Sequence, residues 1–173
     1  MMTRRVSLRE FQEGLAARLT QAHQSPPAQG FLGVESGGQH WLISLSESGE
    51  VIPLPPLAPV PLTKPWFVGM ANVRGALYGV IDFSAFCGGV PTVQNLDARL
   101  LLVGAASSVN AHCALLVSRT LGLKNPSELT VMEPIVHVPA WSAQRRADTQ
   151  GQSWRLLHVS GLLEDPVFLS VGL

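Results

Sequence analysis

The sequence predicts a mainly β protein: two small β units in tandem, with short helices and an amphipathic helix in front. Short apolar runs are separated by turn residues rather than extended at helical spacing. An internal repeat pairs a strand–turn–strand opening with a strand-into-helix closing, and it occurs twice. Helical periodicity is confined to the first two dozen residues. These observations divide the chain into a helix and linker over residues 1–30 and a folded body over 31–173. Residues 31–89 form mainly the first β unit and 99–170 mainly the second.

Leu8, Phe11, Leu15 and Leu19 recur at helical spacing, and Ser7 with Glu10 three positions on makes a capping box, so a helix is expected over Leu8 to His23. Pro26, Pro27 and Gly30 stop it and mark Gln24 to Gly30 as linker. The first unit opens with Phe31 to Val34, a Gly37-Gly38 turn, and Trp41 to Leu45. The second opens with Leu100 to Val103, a turn over Ser107 to Asn110, and Ala114 to Val117. Val80-Ile81-Asp82-Phe83-Ser84-Ala85-Phe86 closes the first and Leu156-Leu157-His158-Val159-Ser160-Gly161-Leu162 the second. Ser84 and Ser160 stand where helix caps are expected.

Between Pro53 and Pro65 the prolines remove too many amide donors for a central strand, so this segment must be extended and solvated, or form a sheet edge. Pro56-Leu57-Ala58-Pro59 also has the spacing of a ligand for an aromatic groove, but the leucines and valine between the prolines point to packing across a barrel.

With 173 residues, 46% of them hydrophobic, the chain has material for one core. Twelve basic side chains balance twelve acidic ones, which leaves no field to gather nucleic acid or an anionic bilayer. The longest apolar stretch, Val51 to Leu62, is broken by prolines and is too short to span a membrane. Residues 1–20 carry Arg4, Arg5, Arg9, Arg18, Glu10 and Glu13 without an apolar signal core. No direct membrane insertion and a cytoplasmic location are expected. Cys87 and Cys113 are too few for a disulfide framework and are expected to be reduced and buried.

Catalytic chemistry finds little footing. His112 beside Cys113 is only a sequence neighbour, and strand geometry sends the two to opposite faces. The other histidines lack the spacing that places two imidazoles on one helix face, so no metal is expected. Asp82 lacks the following glycine and the second copy that an aspartic-protease dyad requires, and helix entry suits it better. No glycine motif seats a phosphate, and no cofactor is expected. Trp41, Trp66, Trp141 and Trp154 read as core. Arg74 and Glu50 stand out: each is a charge between apolar residues, and each needs a partner because an unpaired buried charge costs several kcal/mol.

Phe67, Gly69, Met70, Asn72, Val73, Arg74 and Gly75, followed by Val80-Ile81-Asp82-Phe83, resemble the signature of the CheW-like coupling proteins of bacterial chemosensory systems. The resemblance covers 31–89 closely and 99–170 more loosely. Trp41, Pro61, Lys64 and Trp66 are similar to the members associated with type IV pilus twitching motility.

The resemblance implies two five-stranded SH3-like barrels without catalytic activity. It also implies partners: the cytoplasmic tip of a methyl-accepting chemoreceptor and the regulatory domain of a CheA-type histidine kinase, in arrays near the inner membrane. By motif match, Glu50, Gly69, Asn72, Arg74 and Gly75 would form or support the receptor-facing region. The N-terminal helix lies outside the resemblance, and polar residues 142–153, with Arg145 and Arg146, are expected to form a loop. The alternatives are a stand-alone peptide-binding module, or a hydrolase using Cys113 or Asp82 with a histidine.

Overall fold

A computed structural model describes residues 30–103 and 112–173. The expected N-terminal helix and most of the linker, and the turn over Ser107 to Asn110, lie outside the described residues.

Each half opens with a hairpin. β1 (Phe31–Ser36) and β2 (Gln39–Ser44) are joined by Gly37 and Gly38, whose φ angles of 59° and 72° give the left-handed two-residue turn that matches strand twist. β7 (Arg99–Val103) pairs antiparallel with β8 (Cys113–Val117). After the first hairpin come β3 (Val51–Pro53), β4 (Leu57–Ala58), β5 (Phe67–Val73), β6 (Ala76–Asp82) and the short helix α1 (Phe83–Phe86). After the second come β9 (Arg119–Lys124), β10 (Leu129–Met132), β11 (Arg145–Asp148), β12 (Ser153–Leu157), α2 (Val159–Leu163) and α3 (Pro166–Leu169).

Two six-stranded sheets result, ordered β3-β7-β8-β6-β5-β4 and β10-β11-β12-β2-β1-β9. The two-unit architecture is as expected, with six strands per sheet rather than five. Each half nevertheless lends its opening hairpin to the other half's sheet. β8 of the second half runs parallel to β6 of the first (Ile81 opposite Leu115), and β12 runs parallel to β2 (Leu157 opposite Ile43). The outer pairings match as well, β3 with β7 and β9 with β1.

The exchange explains the burial pattern of β8, where every residue is buried. Cys113, Leu115 and Val117 face a central core shared with Trp41, Ile43 and Leu157, while Ala114 and Leu116 face the interior of their own sheet with Val80 and Leu100. A strand covered on both faces has no reason to alternate apolar with polar. A third cluster, Leu42, Leu129, Trp154 and Leu156, fills the other sheet. All four tryptophans are buried.

Several local expectations change. The helix caps fall two residues earlier than expected. Asp82 caps α1 by accepting from the Ala85 amide, and His158 occupies the equivalent position before α2 with no side-chain bond. Ser84 instead donates to the Val90 carbonyl at 2.6 Å, and Ser160 donates to Glu47 at 2.9 Å. The polar stretch around Arg145 and Arg146 is not a loop throughout, because 145–148 is a strand paired on both sides. Cys87 is exposed rather than buried; Cys113 is buried. The proline-rich segment contributes edge strands, as its missing donors require. It is held by the C-terminal residues, with the Lys64 amide donating to Val171 at 2.9 Å and the Leu173 amide to Leu62 at 3.1 Å.

Candidate functional site

The β5–β6 hairpin turns on Arg74 and Gly75, which have φ angles of 52° and 88°. Both central residues of this turn type must adopt the left-handed region. Glycine does so freely, whereas an arginine there costs roughly 1–2 kcal/mol. Asn72 fixes the turn by accepting from the Gly75 amide at 2.9 Å.

Glu50 reaches the same corner from the far edge of the sheet. It immediately precedes β3, and its carbonyl accepts from the Leu102 amide at 2.8 Å, extending the β3–β7 ladder by one residue. β3 and β5 are not sheet neighbours, so the curl of the sheet brings Glu50 to Arg74. The guanidinium fork grips the carboxylate through both Nη atoms, one bond measuring 2.9 Å and the other closer still. This planar two-point match is the geometry arginine provides and lysine cannot. The pair stays open to solvent, with Arg74 74% and Glu50 43% exposed in their side chains. An exposed ion pair returns only about 0–1 kcal/mol, less than the turn strain. Folding stability alone therefore does not account for arginine at this position.

Gly69 lies away from the corner, buried within β5. Its φ of 135° and the Ala58 carbonyl beside it leave no room for a Cβ, so it lets edge strand β4 close on β5. Four of the five motif residues, Glu50, Asn72, Arg74 and Gly75, meet at one exposed corner, and Gly69 supports the strand behind it.

The catalytic alternatives fare poorly on chemistry. Burial pushes the Cys113 thiol up to about 12, and His112 is exposed, its ring set edge-on to Tyr78. Although Cys87 is exposed as a residue, the protein packed around its thiol group desolvates it and pushes it up to about 11, with Arg155 opposing. Neither thiol forms a useful thiolate near neutral pH. The Asp82 carboxylate is almost fully buried and accepts from the Ala85 amide, the Thr92 amide at 2.6 Å and the Thr92 hydroxyl at 2.8 Å, so it pins the loop after α1. Among the described residues no group of three His, Cys, Asp or Glu side chains is placed to hold a metal, and no helix is long and apolar enough to cross a membrane.

Sequence reasoning missed Arg155. Its guanidinium stacks 4.5 Å from the Trp41 ring centre and donates to the Ser142 hydroxyl at 3.1 Å and to the Gln39 side chain at 3.1 Å. Burial, opposed by Cys87 and reinforced by Arg145, lowers its pKa. The only signal was a charge inside the apolar run Trp154 to Leu157, weaker than the motif around Arg74.

Residues 30–167 match the model of the CheW-like domain. Protein PilI of Pseudomonas aeruginosa is 26% identical over 133 residues, covering 71% of this chain and 73% of its own length. The crystal structure of scaffolding protein TtCheW from Thermoanaerobacter tengcongensis superposes with a TM-score of 0.65 at 15% identity, over 80% of this chain and 94% of that one. At that identity the likeness is one of fold.

Proposed function

Because this chain belongs to the family of CheW-like domains, we propose that it is a non-catalytic chemosensory adaptor. It couples the cytoplasmic tip of a methyl-accepting chemoreceptor to the regulatory domain of a CheA-type histidine kinase. The likeness to PilI favours a pathway controlling type IV pilus twitching motility over one serving flagella. The protein acts in the cytoplasm, near the inner membrane, where such receptors present their tips.

The observation that carries this reading is the Arg74–Glu50 corner: a bidentate, solvent-facing ion pair on a turn whose backbone would be more relaxed with glycine. Glu50, Asn72, Arg74 and Gly75 form the receptor-facing corner, and Gly69 supports it. Two sheets sharing one core cannot slide independently. Partners held on them keep a fixed spacing, and a shift of the receptor tip biases the kinase through differential contacts. Replacing Arg74 by glutamate sets two carboxylates together at the corner. We expect at least a tenfold loss of binding to a receptor cytoplasmic fragment, with cooperative unfolding retained. Undiminished capture by a folded Arg74→Glu variant counts against the assignment.

A further inference from the structure

We propose that the concave face bounded by β2, β11 and β12 is an oxyanion-binding site, taking the carboxylate or phosphate groups of an acidic ligand. The face lies on the opposite sheet from Arg74. It is an open, shallow concavity of about 320 Å³, lined by Gln39, His40, Arg145, Gln152, Ser153 and Arg155, among others.

Arg145 and Arg155 are direct cross-strand partners in the β11–β12 ladder. Like charges in that position repel and destabilise the pairing. Among the described residues neither has a carboxylate within ion-pair distance. Among the described residues Arg155 is satisfied only by neutral acceptors, Ser142 and Gln39, and by the Trp41 ring. Arg145 donates from Nε to the Glu133 backbone carbonyl at 3.2 Å, and no acceptor among the described residues engages its two Nη atoms. Of the nearby acids, Glu133 offers Arg145 only its backbone carbonyl, its carboxylate lying beyond ion-pair distance, and two others are engaged elsewhere. Glu35 takes Arg119 at 2.7 Å and lies 3.9 Å from His40 Nε2, and Asp148 accepts from Trp154 Nε1 at 3.0 Å.

Two uncompensated guanidinium groups, one already immobilised by stacking, with flanking amides and a hydroxyl, form a donor set for oxyanions that pays little ordering entropy on binding.

The full-length protein at low salt, titrated with inorganic pyrophosphate and separately with a hexaglutamate peptide, tests this by NMR of the Gln39 and Gln152 side-chain amides and the arginine Nε–H groups. Saturable shifts are expected with at least one probe, weakening as salt is added. Arg145→Gln should weaken binding at least tenfold. Arg99→Gln, on the other sheet, should leave it unchanged. Tighter binding of pyrophosphate identifies a free anion as the ligand, and tighter binding of hexaglutamate identifies an acidic protein segment. Should Arg145→Gln disturb the sheet, Arg145→Lys keeps the charge without the fork and is expected to bind at intermediate strength. Failure of both probes to saturate below about 10 mM, or Arg145 variants that bind like the parent, overturns the proposal.

Discussion

Arg74 occupies a backbone conformation that suits glycine, and its ion pair with Glu50 stands in water. The two effects have opposite signs and similar size: about 1–2 kcal/mol of turn strain against about 0–1 kcal/mol of exposed pairing. Arg74→Gly should therefore change unfolding free energy by no more than about 1 kcal/mol in urea titration, because relaxing the turn offsets the lost pair. A loss of 3 kcal/mol or more would make the pair a structural strut. The need for a partner was legible in the sequence, because an isolated cation between apolar stretches demands one. That Glu50 would lie in the same region rested on family resemblance, and the pairing itself was not legible, since the two meet only once the sheet curls.

At the level of elements, the helices at the end of each half are one or two turns long and depend on side-chain anchors. Asp165 is the clearest. It caps α3 by accepting from the Val167 amide at 2.8 Å, and its other oxygen accepts from Trp141 Nε1 at 2.8 Å. The indole bond foremost, then the amides, hold this carboxyl below the usual carboxylate range. A group whose folded pKa is depressed stabilises the fold above its unfolded pKa, and that contribution is lost as pH falls through the folded value. Urea midpoints of the parent should thus drop more steeply below about pH 4 than those of Asp165→Asn, which keeps a capping oxygen but cannot ionise. Parallel profiles would show that the carboxylate is uncoupled from stability.

Elements were also where sequence reading erred. Arg145–Asp148 is too polar to announce a strand, yet pairing on both sides makes it one. Ser84 and Ser160 are favourable cap residues by type, but the helices begin earlier, so Asp82 and His158 take those positions.

Considered whole, the molecule is two sheets, each completed by the other half's hairpin. The repeat was visible because hairpins and strand-to-helix closures have sequence signatures. The exchange was not, because a strand buried on both faces reads the same whichever partner it has. Fragments 30–96 and 97–173 should each lack cooperative unfolding, as each would leave its sheets without their central partners. Mixed in equal amounts, they should recover a sigmoidal melt by circular dichroism. A cooperative melt from either fragment alone would show that the halves close independently.

The parallel seam between β2 and β12 also sets an order of events on the ribosome. β2 ends at Ser44 and its neighbour β12 begins only at Ser153. At about 5–20 residues per second, the first hairpin waits on the order of ten seconds with an unsatisfied flank. Nascent chains of this protein will thus present an open strand edge until β12 has been made, the state in which holdase chaperones engage a polypeptide.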